Sequence, residues 1–263
     1  VLISLACFAQ APAERPSENI AVGKPYTMEP RPDYEHCTDP EDSTQLTDGV
    51  YSEGYFWVQK TTVGWKGEPI IVVTIDLGED LPIRGASFNT AAGAAGVTWP
   101  LSIYMLVAGE DKIFYEAGEL IAMSSGRGLP DPGKYSVHRY WTDALETHGR
   151  YMAFVFAAQP YGFVDEIEIF KGEDAWLSQP YAGKPIEDIK DTMVRASLQE
   201  AVRRRILMDV VGIEEKLAAA AIDGPVRELL AAGLKNAKDA CATIPEVSME
   251  TFKAVMPLND LHR

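Results

Sequence analysis

Two acidic positions far apart in the chain have the side chains that a hard cation needs. Asp48 precedes Gly49 in the turn 46–49, and Glu166 lies in the strand-like run 163–170. Calcium takes roughly six to eight oxygen ligands from carboxylates and main-chain carbonyls, and an Asp-Gly loop can bend its carbonyl groups inward. The pair therefore predicts a calcium site if the fold brings loop and strand together. The alternative is that Asp48 only caps a turn and Glu166 is a solvated strand residue.

Aromatic residues in the expected loops indicate a second kind of chemistry, the recognition of a sugar ring. A sugar presents an apolar C–H face and several hydroxyl groups, so its site needs flat aromatic faces beside a few polar groups. The candidate ligand-binding residues are Trp65, Trp99, Tyr161, Tyr34 and His36. For Trp65, Trp99 and Tyr161 the alternative is packing in the core, which is favoured for Trp99 because Pro100 and a strand follow it.

No catalytic constellation stands out, and no catalytic residue is assigned. Asp165 and Glu166 are adjacent, and regular alternation along a strand points neighbours to opposite faces, so they would not flank one glycosidic bond. The run 138–141 is predicted to be a half-buried edge strand. The glycine-rich run 93–96 lacks the strand-to-helix context of a phosphate site, and the arginines 203–205 are expected on a solvated helix face.

Composition narrows the classes of partner. The chain has 263 residues, 46% hydrophobic and 24% charged, which is typical of a globular protein with a proper core. Its net charge is −15, and the residues before 172 hold 24 acids against 12 bases. Such a surface repels phosphate backbones and anionic headgroups, so neutral glycans or a cation fit better than nucleic acid.

Short strand-like runs dominate the first two thirds of the chain. The run 70–75 is Ile-Ile-Val-Val-Thr-Ile, a composition typical of a buried strand. Others follow, separated by Gly, Pro and Asp clusters, at 82–90, 101–107, 112–117, 137–141, 151–157 and 163–170. This spacing predicts an antiparallel β-sandwich. Because antiparallel strands alternate in direction, the long aromatic loops are expected at one end and the tight turns 78–81 and 109–111 at the other.

Several phrases occur in the order known from one family of ligand-binding domains. They are 19–25 (Asn-Ile-Ala-Val-Gly-Lys-Pro), the acidic turn 46–49, 73–78 (Val-Thr-Ile-Asp-Leu-Gly), 100–107 followed by the turn 109–111, and the closing strand 163–170. With these phrases the chain resembles the discoidin, or coagulation-factor C-type, family, which includes the family 32 carbohydrate-binding modules. The resemblance covers a little over half of the chain and implies a discoidin-like jelly roll over 19–172.

The resemblance also implies site residues. It places a structural calcium on the carboxylates of Asp48 and Glu166, with further carbonyl oxygens from Gln45, Val50 and Asp165. The segment 52–54 makes the stretch after Asp-Gly longer than in the family, and Val50 stands where a polar residue is common. The resemblance further places Trp57 at a buried aromatic position. For the ligand it implies a glycan.

After residue 172 the apolar period changes to that of a helix. One stripe follows every third or fourth residue from Val194 to Ala220, and a second follows from Val226 to Ile244. Asp223-Gly224-Pro225 breaks the two helices, since Pro suits a first helical turn. We therefore expect a linker at 173–184 and an α-helical hairpin within 185–263, with a possible third helix from 248 that begins a further domain.

The first residues predict export. The apolar run 1–11 ends in small residues, like the last part of a secretory signal peptide, and 1–18 is assigned to this remnant and a linker. A buried strand is the alternative. The three cysteines, 7, 37 and 241, lie in different segments and predict neither a disulfide framework nor a metal cluster. No apolar run reaches the ~18 residues of a membrane span.

These features predict a non-catalytic carbohydrate-binding module that is secreted, periplasmic or at the cell surface. It would be part of a longer polysaccharide-active protein, with a glycoside hydrolase or similar domain downstream. The alternative is a protein-interaction or adhesion module whose helices oligomerise. A weaker third possibility is that the hairpin supplies part of an active site.

Overall fold

The computed structural model describes residues 16–128, 130, 134–193, 210–219 and 224–243. By compactness the chain divides into two units, Val1–Met193 and Val194–Arg263. The predicted leader, most of the first predicted helix and the predicted third helix lie outside the described residues.

The first unit is built mainly of strands. They are β1 (Tyr26–Glu29), β2 (Val63–Ala92), β3 (Tyr104–Ala108), β4 (Phe114–Glu119), β5 (Ser136–Thr142) and β6 (Thr147–Lys171). One short helix, α1 (Leu120–Ser124), follows β4, and 3-10 turns occur at Pro40–Ser43, Gln45–Thr47, Phe56–Val58, Ser125–Arg127 and Asp174–Ser178.

The two long strands, β2 and β6, each contribute one segment to both layers of the sandwich. Partner numbers on β6 fall as those on β2 rise, from 71 with 156 to 76 with 151 and again from 86 with 169 to 89 with 166, so the pairing is antiparallel. One layer is β1, 71–76, 151–156, β3 and β4. The other is β5 with 86–92 of β2 and the end of β6. The predicted antiparallel β-sandwich is confirmed.

The core lies between these two layers. Phe88 of one layer contacts Phe154 and Phe156 of the other, with ring centroids 6.3 and 5.0 Å apart. Alternation along each strand turns every second side chain inward, so both layers contribute apolar residues to one continuous cluster. At Gly85 a Cβ atom would lie 1.9 Å from the Thr142 carbonyl oxygen, so only glycine lets β2 pass β5 this closely.

The loops gather at the two ends of the sandwich. At one end, here the aromatic end, the loop 93–99 meets 159–162 through a hydrogen bond of 3.2 Å from the Thr98 hydroxyl to the Gln159 carbonyl. At the other, here the turn end, Gly109 accepts a hydrogen bond from the Lys112 amide in the β3–β4 hairpin. Arg150 joins this hairpin to the strand end at Asp76.

The segment after residue 172 packs on the sandwich, so the expected linker 173–184 belongs to the first unit. The Trp176 ring is 9% exposed and lies against Gly172 and the Arg84 guanidinium. The Ile186 amide donates a 2.8 Å hydrogen bond to the Phe114 carbonyl at the edge of β4. The first of the two compact units ends at Met193.

The second unit is helical where it is described. Residues 210–219 are helical, and α2 spans Pro225–Thr243, beginning at the predicted proline. The Arg227 guanidinium donates a 2.7 Å hydrogen bond to the Leu217 carbonyl. The helical hairpin as a whole stays a prediction, since 194–209 and 220–223 lie outside the described residues. None of the described helices is both long and apolar enough to cross a membrane.

Candidate functional site

A β-bulge in β6 places three carboxylates under the loop 48–52. Asn89 pairs with Glu166 and Thr90 with Val164, which leaves Asp165 as the extra residue. The Ser52 amide donates to Asp165 Oδ2 at 2.7 Å, and the Gly49 amide donates to Glu166 Oε2 at 3.0 Å. Both carboxylates thus face the same loop, so the expectation that they point to opposite faces is wrong.

Both side-chain oxygens of Asp165 accept hydrogen bonds within the protein. Its second oxygen accepts a 2.8 Å hydrogen bond from the Asn89 amide group, and the residue is fully buried. Burial raises the pKa of Asp165 to about 7, against the lowering effect of the Ser52 and Asn89 hydrogen bonds. Each of its side-chain oxygens already accepts a hydrogen bond, so the atom it would offer a cation is its main-chain carbonyl oxygen, as predicted.

Glu168, the third carboxylate, has its own positive partner. It is fully buried, forms an ion pair with Arg139 and accepts a 2.9 Å hydrogen bond from the Ser87 hydroxyl. The guanidinium of Arg139 also lies 5.7 Å from the Trp141 ring centroid. Strand β5 therefore supplies the positive charge that compensates Glu168.

Glu166 is the unusual member of this cluster. It is fully buried, and within the described residues its Oε1 atom has no hydrogen-bond partner. Burial raises the pKa of Glu166 to about 9, with further raising effects from Asp48, Glu168 and Asp165. Glu166 is therefore favoured here as the neutral acid, and its ionised form would be costly without a bound cation.

The other predicted calcium ligands belong to the loop 45–50 and to Asp165, and the charge of Asp48 raises the pKa of Glu166. Asp48 Oδ1 accepts a 2.7 Å hydrogen bond from the Val50 amide, which closes the turn, and Val50 itself is 47% exposed. Gln45 is buried, and its Oε1 atom lacks a hydrogen-bond partner among the described residues. The described residues contain no group of three His, Cys, Asp or Glu side chains placed for a metal. A cation here would therefore depend on carbonyl oxygens, as the prediction requires.

Three of the five predicted ligand-binding residues come together at the aromatic end. The Tyr34 ring lies 5.5 Å from Tyr161 and 5.4 Å from His36, in edge-to-face contacts. It also packs at 4.9 Å on Phe163, a buried ring that closes the core beneath. Tyr34 and Tyr161 are half-buried and His36 is exposed, so each keeps a surface that a ligand can reach.

Trp99 and Trp65 have different surroundings. Trp99 is half-buried and packs edge-to-face on His138, with ring centroids 6.0 Å apart. Trp65 is fully buried, and its indole N–H donates a 3.0 Å hydrogen bond to the Pro30 carbonyl. Trp65 therefore has no face for a ligand, and its assignment to the binding site is corrected: its ring contacts Phe156 in the core.

A second aromatic group at this end was missed by the sequence analysis. Tyr55, Trp57 and Tyr135 have ring centroids between 4.6 and 5.3 Å apart, and Tyr55 is 53% exposed. The buried aromatic position expected for Trp57 is filled instead by Phe56, which is 0% exposed. The signal in the sequence was the run of three aromatic residues Tyr55-Phe56-Trp57. A turn that buries the middle residue of such a run exposes the two residues beside it.

Polar side chains surround the Tyr34 and Tyr161 rings. Asp33, Lys66, Thr98 and Gln159 are exposed, and Asp33 is fixed by a 2.8 Å hydrogen bond from the Lys66 amide. A shallow recess beside Tyr161 is lined by Val97, Thr98, Pro100 and Phe163, among others. Aromatic faces beside hydrogen-bonding groups make this end suited to a sugar ring.

Comparison with known proteins finds similarity to carbohydrate-recognising domains of known structure. No family model matches the chain, and no curated protein matches it. It is similar to CpGH89CBM32-6 produced by Clostridium perfringens, at 17% identity over 59% of this chain and all of that one, with a TM-score of 0.39. A Streptococcus pneumoniae fucose binding module matches at 16% identity over 61% of this chain and all of that one, with a TM-score of 0.40.

The lectin domain of lectinolysin, complexed with Lewis B antigen, matches at 16% identity over 59% of this chain and 98% of that one, with a TM-score of 0.40.

Proposed function

We propose that this chain is a non-catalytic carbohydrate-binding module whose glycan site is the aromatic end of the sandwich. The observation that supports this most directly is the meeting of Tyr34 and Tyr161, two half-exposed rings from separate segments of the chain, within 5.5 Å of each other. Both rest on the rigid core through Phe163. A rigid aromatic surface loses little entropy on binding, so it suits the weak C–H···π contacts of a sugar.

The polar groups at this end supply specificity for hydroxyl groups. Asp33 offers a carboxylate acceptor, Lys66 an ammonium donor and Gln159 both a donor and an acceptor. We place Trp99 and His36 at the edges of the same site.

The apolar run 1–11 further supports export, and we propose that the module directs a polysaccharide-active protein to its substrate.

The glycan proposal is tested by alanine substitution at the aromatic end. Tyr161→Ala and Tyr34→Ala should each weaken retention in an affinity gel about thirtyfold, equivalent to roughly 2 kcal/mol of lost apolar and C–H···π contact. Their melting temperatures should change little. Tyr115→Ala is the matched control, since Tyr115 is another half-buried tyrosine that stacks on Tyr181 at 4.8 Å, in the β4 strand.

The outcome also separates the two classes of function. Full binding by both variants, to a glycan that the wild type retains, would move the site elsewhere. A wild type that retains no glycan from a broad panel would contradict the proposal and favour the protein-interaction alternative, for which the exposed Tyr55 and Val58 would be the contact surface.

We also propose that a structural calcium is bound between the loop 45–50 and residues 165–166 of β6. Glu166 Oε1 and Gln45 Oε1 are buried polar atoms without described partners, and three further acids lie near Glu166. A bound cation would satisfy the Glu166 Oε1 atom and offset the repulsion from Asp48, Glu168 and Asp165. Asp48 and Glu166 would be its carboxylate ligands, with carbonyl oxygens of Gln45, Val50 and Asp165, and it would tie the loop to the sheet.

The calcium proposal predicts a chelator-sensitive melting temperature. Binding to the folded state alone at 100 times Kd adds about 2.7 kcal/mol, so calcium should raise the melting temperature by about 5–10 °C. Asp48→Ala should abolish this response. Asp111→Ala is the control, because Asp111 closes an equivalent turn through a 3.0 Å hydrogen bond from the Ile113 amide. Equal melting of the wild type with chelator and with calcium would rule the site out.

A further inference from the structure

An open groove lies at the turn end, away from the aromatic end. Its volume is about 370 Å³, which is within the range of small-molecule sites. Its lining residues are Pro25, Tyr26, Thr27, Thr74, Asp76, Lys112, Phe114 and Tyr151. Val73 and Ile75 point into the core, so the alternating Thr74 and Asp76 face outward, on the outer surface of the β1 to β4 layer.

Lys112 provides the positive charge of this groove. It follows the turn that begins at Gly109 and has a left-handed φ of 57°, a conformation that lysine rarely adopts. Its ammonium lies 4.8 Å from the Tyr151 ring centroid, which holds it above the groove. No carboxylate of the described residues forms an ion pair with it.

Asp76, the only carboxylate among the residues that line the groove, already has a cation. Arg150 donates from Nε to Asp76 Oδ1 at 2.9 Å and from Nη2 to Oδ2 at 3.1 Å. These bonds lower the pKa of Asp76, so it stays ionised and paired. The charge that remains uncompensated in the groove is therefore that of Lys112, and it favours an anionic ligand.

The remaining lining matches the other parts of a sugar. Thr27 and Thr74 are direct partners across β1 and β2, so their hydroxyl groups lie side by side as donors or acceptors. Phe114, Pro25 and Tyr151 provide apolar surface for a ring. We infer that this groove is a second saccharide subsite that takes a carboxylated sugar unit, a hexuronate, with its carboxylate on Lys112 and its hydroxyl groups on the two threonines.

The negative net charge of the chain does not oppose this ligand strongly. At physiological ionic strength charges are screened over about 8 Å, so exposed acids elsewhere contribute little. A carboxylate in contact with Lys112 lies well inside that distance. The proposal depends on the groove alone and is independent of the aromatic end.

The test is titration of the full chain with D-glucuronate and D-galacturonate, followed by NMR or calorimetry. Lys112→Met keeps most of the side-chain stem above Tyr151 but removes the charge, and it should weaken uronate binding about tenfold or more. Thr74→Val keeps the shape and should weaken it several-fold. Lys171→Met is the matched control, because Lys171 is an exposed lysine whose nearest described carboxylate oxygen is 3.9 Å away.

Two outcomes would overturn the inference. One is the absence of binding by either uronate up to about 10 mM, and the other is unchanged binding by Lys112→Met. Glucose and galactose should bind this groove more weakly than the uronates. Uronate titration of Tyr161→Ala reports on the groove without an intact aromatic end, and affinity-gel retention reports on the aromatic end, so failure of the aromatic-end proposal and failure of this one are distinguishable.

Discussion

At the scale of single residues, Glu166 links pH to stability. Burial raises its pKa to about 9 in the folded chain, whereas the free side chain titrates near 4.5. Between these values the folded state keeps a proton that the unfolded state has lost, so the free energy of unfolding should fall as pH rises, by at most about 1.4 kcal/mol per pH unit. Chelator-treated protein should show this slope in urea unfolding between about pH 5 and pH 9.

Calcium should flatten that slope, because the cation replaces the proton and the carboxylate is then ionised in both states. Glu166→Gln mimics the protonated side chain, so above about pH 7, the raised pKa of Asp165, its stability should lack the slope with or without calcium. The control is Glu53→Gln at an exposed position of the same loop region. An unchanged slope in Glu166→Gln would mean that the other buried carboxylates, and not Glu166, control the pH response.

The sequence predicted some site residues and missed others for identifiable reasons. Tyr34, His36 and Tyr161 were recognisable because strand direction places their segments at the same end of the sandwich. Trp65 was misassigned because its indole N–H finds the Pro30 carbonyl, a contact that no local pattern reveals. The free Oε1 atom of Glu166 likewise depends on how a loop more than a hundred residues earlier folds over it.

At the scale of elements, the strands followed from the sequence but the bulge did not. The residues of the last segment of β6 that belong to the main core cluster are Val164, Ile167 and Ile169, all fully buried. A regular strand repeats every two residues, so the spacing of three between the first two contains one extra residue. That residue is the bulge, and it turns Asp165 and Glu166 toward one loop. The spacing of three was visible in the sequence, but a regular two-residue alternation was assumed for this strand as for its neighbours.

At the scale of the whole molecule, the segment 173–193 should be required for full stability of the sandwich. The His148 ring bonds Asp80 at 2.8 Å and the Gln179 carbonyl at 2.9 Å, and Tyr181 stacks on it at 4.6 Å. Trp176 is buried in the same segment. A chain of residues 19–172 keeps the His148–Asp80 contact but loses those made by Gln179, Tyr181 and Trp176, whereas a chain of 19–193 keeps all of them.

The shorter chain should therefore unfold at a lower urea concentration. Loss of the buried Trp176 side chain alone should lower its free energy of unfolding by about 2–3 kcal/mol. Trp176→Ala in the full chain isolates that ring while keeping the segment, and it should account for much of the difference. The composition change at Gly172, where strand alternation stops, suggested a boundary because periodicity reports secondary structure and not tertiary contacts. Equal unfolding midpoints for the two truncated chains would show that the segment 173–193 adds no stability. The boundary of the independently stable sandwich would then be at 172.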